Sequence, residues 1–388
     1  MTDILALENL RASGVYNKRG VTMARGEGAL LWDDQGREYI DCVGGQGAAN
    51  LGHANPVVAA AIAEQAQRLI SLTEIFPNEQ RAAVMDRLCR LADMPRVYLC
   101  NSGTEAIEAA FKFARAVTHR TEFVAAMRGF HGRTMGALSA TWNKAYREPF
   151  EPLVPGFRHV PYNNLDALSK AVNENTAAVI LEVVQGEGGV YPGMPEYLRG
   201  AQQICQERGA LFILDEVQTG FGRTGKMFAF QHHDLRPDLL CLAKSIAGGV
   251  PMGATLIGER LGVLPGHIHG STFGGNPLAC AASLAALGEM ERLDLPARAA
   301  ENGVHFMERL QEINSPLIRE VRGLGLLVGV ELKKKSAPFL QALTERGVVA
   351  LSAGMNVIRF LPPLVITRDQ LDCVADTLKK VLMEPVPD

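Results

Sequence analysis

Two short apolar runs, each ending in a charged residue, limit what this chain can become more than any other feature. Leu211-Phe-Ile-Leu runs into Asp215, and twenty-nine residues further on Leu239-Leu-Cys-Leu-Ala runs into Lys244. Apolar runs of this length, bounded by polar residues, read as strands covered on both faces. More of them punctuate the middle of the chain: Arg96–Cys100, Glu122–Met127, Ala177–Val184, Leu211–Leu214, Leu239–Leu242 and Ala254–Ile257. Helical patterns such as Glu105–Val117 and Glu196–Arg208 lie between them. The alternation predicts a mostly parallel sheet covered by helices, an α/β architecture. In such open sheets ligands sit outside the carboxyl ends of the strands, where Asp215 and Lys244 both fall.

The chain does not stop at one such domain. Its 388 residues suit a large domain plus a smaller one. Residues 1–50 hold short strand-like pieces, Ala29–Trp32 and Glu38–Asp41, separated by Gly36. After Thr272 the pattern turns helical from Pro277 to Glu291, then becomes α+β, ending in Val357–Phe360 and a last helix over Asp369–Leu382. With the boundary at Gly270–Gly275, the expectation is an N-terminal segment (1–50) that joins the small domain, a large domain (51–272) and a C-terminal small domain (273–388).

Composition removes several function classes. The formal charge is −3, with no basic cluster, so nucleic acid is not an expected partner. No stretch approaches eighteen consecutive apolar residues, so no membrane-spanning helix is expected. Met1 to Leu10 carries Asp3 and Glu8 without a basic start, unlike a signal peptide. The seven cysteines are odd in number and form no Cys-x-x-Cys pair, which reads as reduced thiols in a cytoplasmic protein. His232-His233 and His267-x-His269 lack acidic or thiol companions at ligand spacing, so no metal is expected. Gly323-Leu-Gly325 through Gly329 runs into an apparent strand, Leu326–Leu332, rather than a helix, and reads as structure rather than a dinucleotide loop.

Three segments carry chemistry. Asp215, at a strand's carboxyl end, is placed to keep a cofactor's ring nitrogen protonated, or else to cap a helix or join a surface ion pair. Lys244 ends an apolar strand and is followed by small residues through Gly248-Gly249. Burial disfavours an ammonium, which suits an amine that must be nucleophilic and form a Schiff base; a lysine snorkelling from a strand edge is the alternative. Asn101-Ser-Gly-Thr-Glu105 opens a helix with capping-box spacing, Ser102 to Glu105, and reads as a phosphate site or simply as a well-capped helix.

Taken together, these motifs resemble the class III (subgroup II) aminotransferases that use pyridoxal 5′-phosphate (PLP). The resemblance rests on Asp215-Glu-Val-Gln218, Asp238 through Lys244, Asn101-Ser-Gly-Thr-Glu-Ala, Gly129-Phe-His-Gly-Arg133-Thr, Gln185-Gly-Glu-Gly-Gly189, Ser271-Thr-Phe-Gly-Gly-Asn-Pro277 and Arg359-Phe-Leu-Pro-Pro363, in the family's order. It runs from about Tyr16 to the last helix. It implies fold type I, with a mostly parallel seven-stranded sheet in the large domain and a smaller α+β domain, and a homodimer with active sites at the subunit interface. Lys244 and Asp215 match the family's catalytic pair. Gly103 and Thr104 are similar to its phosphate-binding residues, Phe130 and Val217 to the side chains on either face of the cofactor ring, and Gln218 to the donor near the phenolic oxygen. Thr272 resembles the threonine that reaches the neighbouring subunit's phosphate. Arg359 matches the arginine that clamps a substrate carboxylate, Arg133 and Ser271 resemble further substrate contacts, and Glu187 resembles the glutamate that pairs with Arg359 when no carboxylate is bound.

Within the family the chain is most similar to the acetylornithine aminotransferase group, through Phe130-His-Gly-Arg-Thr and Val184-Gln-Gly-Glu-Gly-Gly. Tyr39-Ile-Asp-Cys-Val-Gly-Gly, Val124-Ala-Ala-Met-Arg-Gly-Phe, Tyr146-Arg-Glu-Pro-Phe and Val357-Ile-Arg-Phe-Leu-Pro-Pro resemble its lysine-biosynthesis branch. That branch exchanges an amino group between glutamate and an aminoadipate semialdehyde held, through its blocked α-nitrogen, on a small acidic carrier protein. Gln46 stands where related ornithine aminotransferases have a tyrosine that holds a free α-amino group, which favours a blocked substrate. Acetylornithine is the alternative substrate. The same fold also serves racemases, decarboxylases and aminomutases; Lys244 and Asp215 fit all of them, whereas Arg359 with Glu187 favours a transaminase that accepts glutamate.

Overall fold

A computed structural model describes residues 4–384. Asp3 and the outermost ends of the first and last expected segments lie outside the described residues.

Seven strands form the central sheet, in the order Arg96–Cys100, Gly253–Ile257, Leu239–Leu242, Leu211–Asp215, Thr176–Glu182, Glu122–Ala126 and Phe157–Val160. Gly253–Ile257 runs antiparallel to both its neighbours, and the remaining pairs are parallel. Because side chains alternate along a strand, each apolar run feeds two cores. Phe212 and Leu214 join one, with Leu181 and Leu240, and Leu211 and Ile213 join the other, with Ile180 and Leu239. Helix Pro195–Arg208 covers the first face through Tyr197, Leu198 and Ala201, and helix Gly103–Thr118 covers the second through Ala106, Ile107 and Phe113. Full burial of such aliphatic and aromatic side chains is worth about 1.5–3 kcal/mol each, which is why these strands are apolar on both faces.

Six of the seven strands match the expected ones to within a residue or two. Phe157–Val160 was not expected: it lies at the sheet edge, and in Phe-Arg-His-Val only Val160 is fully buried. An edge strand has no need of a continuous apolar run. Thr176–Glu182 stops short of the expected Val184, because Val184–Gln185 turns out of the sheet to pair with Tyr191–Pro192. The strand expected over Leu326–Leu332 is present as Leu327–Leu332, and it pairs with Ile318–Leu324, which was not expected, across a turn at Gly325 with φ +56°.

A second, antiparallel sheet has the order Ile318–Leu324, Leu327–Leu332, Val357–Phe360, Leu351–Ala353. A third joins Met23–Glu27, Leu30–Asp33 and Glu38–Asp41 to Val348–Val349, with Ile40 opposite Val348. The start of the chain is thereby stitched to residues more than three hundred positions later.

Candidate active site

The carboxyl ends of the parallel strands meet along one edge of the central sheet. Asp215 is the last residue of its strand, in register with Glu182 on one side and Cys241 on the other. Lys244 lies two residues beyond Leu242, at the start of a 3-10 turn and with φ +49°. Asn101–Thr104 follows Cys100, and Phe130 lies just past Ala126. All of them except the strands' own core residues face a cavity of about 620 Å³, which Gln46 and Tyr16 also line.

Asp215 is buried and held from two sides. The Val217 amide donates to Oδ1 at 3.0 Å, and Oδ2 meets His131 Nδ1 at 2.8 Å. His131 is itself buried, its backbone N–H donates to Thr141 Oγ1 at 2.9 Å, and its Nε2 has no partner among the described residues. Burial lowers the His131 pKa, but the Asp215 hydrogen bond and charge, with Glu182 beyond, outweigh it and leave the net shift upward. Glu182 accepts from the Phe130 amide at 3.0 Å and the Gly186 amide at 3.1 Å, tying two loops of the cavity together. Burial pushes its carboxyl up. Neither His131 nor Glu182 was among the expected site residues. His131 lies inside the Phe130-His-Gly-Arg motif, but its pairing with Asp215 becomes visible only once the strands are side by side.

Lys244 is enclosed, and its ammonium forms no hydrogen bond with a described residue. Burial lowers its pKa, which Glu187 and Asp215 offset only in part. The helix opening at Gly103 is capped by Ser102 as the spacing predicts, but Glu105 reaches the Asn101 amide instead of the Ser102 amide that closes a capping box. Ser102 Oγ accepts from the Glu105 amide at 3.3 Å, and the Glu105 carboxylate accepts from the Asn101 amide at 2.7 Å. The Gly103 and Thr104 amides keep no partner among the described residues, as the first turn of a helix must leave them. A Cβ at Gly103 would lie 2.7 Å from Val217 Cγ1, and one at Gly132 would lie 2.3 Å from Thr104 Oγ1, so both glycines are required by close approach.

Arg359 comes from the second sheet. It is buried, donates to Glu187 Oε1 at 2.6 Å and to Gln218 Oε1 at 3.2 Å, and leaves Nε without a partner among the described residues. Gln218, expected near the cofactor, therefore also faces Arg359. The loop bearing Glu187 is clamped by Arg322, which was not anticipated: Nε donates to the Gly189 and Val190 carbonyls at 3.0 Å each, and the guanidinium stacks 3.9 Å from the Tyr191 ring. Arg133 is exposed at the cavity mouth, 3.6 Å over the Tyr146 ring and 5.6 Å from Phe130. Ser271 accepts from Asn101 Nδ2 at 3.1 Å and from the Gly274 amide at 3.0 Å, while Thr272 is exposed; neither lines the cavity of its own chain.

A desolvated amine and a carboxylate on neighbouring strands, opposite helix amides free for a phosphate, suit one cofactor: the chain is a PLP-dependent enzyme of fold type I. It belongs to the class-III aminotransferases, whose family model matches residues 12–382. It is 52% identical to the [LysW]-aminoadipate semialdehyde transaminase of Deinococcus radiodurans, over 97% of this chain and 90% of the relative. It is 48% identical to the acetylornithine aminotransferase of Methanopyrus kandleri, over 92% and 93%. Among solved structures, the ornithine aminotransferase of Toxoplasma gondii superposes with a TM-score of 0.94 at 34% identity, covering 98% of this chain and 93% of that one. The acetylornithine aminotransferase of Elizabethkingia anophelis gives 0.87 at 33%, covering 98% of each.

Proposed function

We propose that this chain moves an amino group between the ω-position of an N-blocked lysine, linked to an acidic carrier protein, and 2-oxoglutarate or glutamate. An N-blocked ornithine is the close second substrate, because one methylene is worth only about 1–3 kcal/mol of discrimination. The reading draws on the substrate named for the Deinococcus relative and on one observation, the Arg359–Glu187 pair at 2.6 Å beside Lys244's cavity.

Bound PLP supplies the electron sink that makes a proton on the substrate's reacting carbon acidic. Lys244 Nζ would hold the cofactor and, when free, would serve as the base for that proton; burial lowers its pKa, which favours the uncharged amine. Asp215, braced by His131 and the Val217 amide, would face the ring nitrogen and hold its proton. Phe130 and Val217 would flank the ring, Gln218 would donate at its phenolic oxygen, and the Gly103 and Thr104 amides would hold the phosphate. Arg359 clamps glutamate's α-carboxylate with a planar guanidinium that a lysine could not replace. Arg133 and Ser271 contact the substrate further out. The N-blocked amine brings no carboxylate beside its reacting carbon, and Glu187 then neutralises the buried Arg359.

The same proposal includes a homodimer in which Thr272 reaches the partner's cofactor phosphate, supported by its exposure and its place outside its own cavity. It also keeps the division into 1–50, 51–272 and 273–388, supported by the pairing of Ile40 with Val348. Seven free thiols favour the cytoplasm as its location.

Separate pre-steady-state measurement of the two half-reactions tests the central point. Glu187→Ala should leave the glutamate half as fast as before or faster, and slow the N-blocked amine half at least tenfold, since an unpaired buried arginine costs about 3–5 kcal/mol. Equal losses in both halves would reject the switch. Turnover of acetylornithine, acetyllysine and carrier-linked lysine with 2-oxoglutarate ranks the substrates.

A further inference from the structure

The hairpin that carries Glu187 is short and its backbone is strained. Val184–Gln185 pairs with Tyr191–Pro192, so residues 186–190 form the tip. Gly189 has φ +123° and Val190 φ +57°. A left-handed conformation is unfavourable for a β-branched residue and persists only where the surroundings dictate it.

The second sheet supplies those surroundings. Arg322, Gly329 and Arg359 stand directly opposite one another on three adjacent strands, so all three face the same side. Gly329, in the middle, leaves room for the buried Val190: a Cβ there would lie 2.9 Å from Val190 Cβ. The two arginines then hold the hairpin at two points. Arg359 takes the Glu187 carboxylate at 2.6 Å. Arg322 takes the backbone behind it: Nη2 donates to the Gly189 carbonyl at 2.7 Å, and Nε is shared between the Gly189 and Val190 carbonyls. Arg322 is fixed in turn from its other side. Nη1 donates to Glu331 at 2.7 Å and to Glu320 at 2.6 Å, and the Tyr191 hydroxyl donates to the same Glu331 oxygen at 3.2 Å. A fork that serves two carbonyls and a carboxylate while stacking on a ring is a task for arginine, not lysine. Arg322 does not line the cavity around Lys244, so its route to the chemistry runs through the Glu187 loop.

We propose that Arg322 is a positioning residue for the Glu187 switch, and thereby a determinant of which amino-group partner the site favours. The inference rests on the function proposed above. Glu187 must leave Arg359 when a carboxylate arrives and return when the N-blocked amine binds. With the Gly189 and Val190 carbonyls held, that exchange is the rotation of one side chain on a fixed support, and the returning carboxylate is already oriented. Release of the two carbonyls lets Val190 relax, carries Glu187 away from Arg359 and leaves the buried arginine without its carboxylate. Only the amine half-reaction suffers, because the glutamate half supplies a carboxylate of its own.

Stopped-flow absorbance of the holoenzyme's cofactor follows the two half-reactions separately. The amine is the one that ranks first among acetylornithine, acetyllysine and carrier-linked lysine. Four proteins are compared: wild type, Glu187→Ala, Arg322→Lys and the double variant. Arg322→Lys keeps the charge beside Glu331 but cannot serve both carbonyls. It should slow the amine half about fivefold, as expected when a charge-assisted hydrogen bond is given up, and leave the glutamate half within about twofold of wild type. In the double variant the amine half should stay within about twofold of Glu187→Ala alone, because both substitutions break the same path. If Arg322→Lys does not yield folded holoenzyme, Tyr191→Leu, which withdraws the ring beside the guanidinium, should give the same split at smaller size. Equal slowing of both halves, or losses that multiply in the double variant, would show a merely structural role and overturn the proposal. A split in Glu187→Ala without one in the Arg322 or Tyr191 variant overturns this inference alone. Equal losses from Glu187→Ala itself, or failure of all three amines, would remove the parent reading and this one with it.

Discussion

Asp215 accepts a backbone amide on one oxygen and His131 on the other, inside a wall of apolar strands. This arrangement matters because a carboxylate in a desolvated site acts strongly on any charge beside it, and a fixed one needs no reorganisation during the reaction. Asp215→Asn keeps the shape and removes the charge. The half-reaction with glutamate should slow by about 10²–10³, the magnitude lost with one preorganised electrostatic partner, while the cofactor remains bound. Stopped-flow absorbance of the bound cofactor reads both quantities, and near-normal rates would exclude the role. Asp215 and Lys244 were legible in the sequence, since each ends an apolar run where a charge needs a reason, and Arg359 through the resemblance carried by Arg359-Phe-Leu-Pro-Pro363. His131 and Glu182 were not, because their partners lie across the sheet and only its register brings them together.

Among the elements, the 3-10 turn Ala229–His232 shows how one buried carboxylate can organise a loop. Glu216, next to Asp215 and fully buried, accepts from the Ala229 and Phe230 amides at 2.7 Å each. Burial still prevails over those bonds and pushes its carboxyl up to about 7. A folded-state value above the ordinary 4.5 means that the proton binds better in the folded protein. The stability linked to Glu216 is therefore complete below about pH 4.5 and is lost as the pH rises through about 7. Glu216→Gln should remove that part of the pH dependence of Tm. It should also lower stability by about 1–3 kcal/mol at acidic pH, because an amide offers one acceptor oxygen where two amides need partners. Thermal melts of both proteins between pH 4.5 and 8 check it; an unchanged slope would show that Glu216 does not titrate there. The same scale explains why Phe157–Val160 escaped notice: an edge strand is half solvated, and Phe-Arg-His-Val shows neither a continuous apolar run nor a strict alternation.

For the whole molecule, the exposed Thr272 and Phe273 give the proposed dimer its sharpest test, since Phe273 is a large apolar side chain left 59% exposed beside Thr272. If each site borrows Thr272 from its partner, Thr272→Glu, which places a charge against the phosphate, and Lys244→Ala should each be inactive alone. Mixed and re-equilibrated one to one, they should recover about a quarter of wild-type activity, because half the dimers are hybrids with one intact site. No recovery in a dimer shown to exchange subunits would contradict the shared site.

What the sequence determined by itself is local in its physics. Strands show as apolar runs because both faces are buried, a helix start shows as a capping box, and a charge at a strand end marks the edge where ligands bind. What only the tertiary structure decided depends on partners remote in the chain. His131 meets Asp215 across 84 residues, and Arg359 meets Glu187 across 172. Hydrogen bonds and cavities depend on distances in space, and these are settled by how the sheets and helices pack rather than by any run of neighbouring residues.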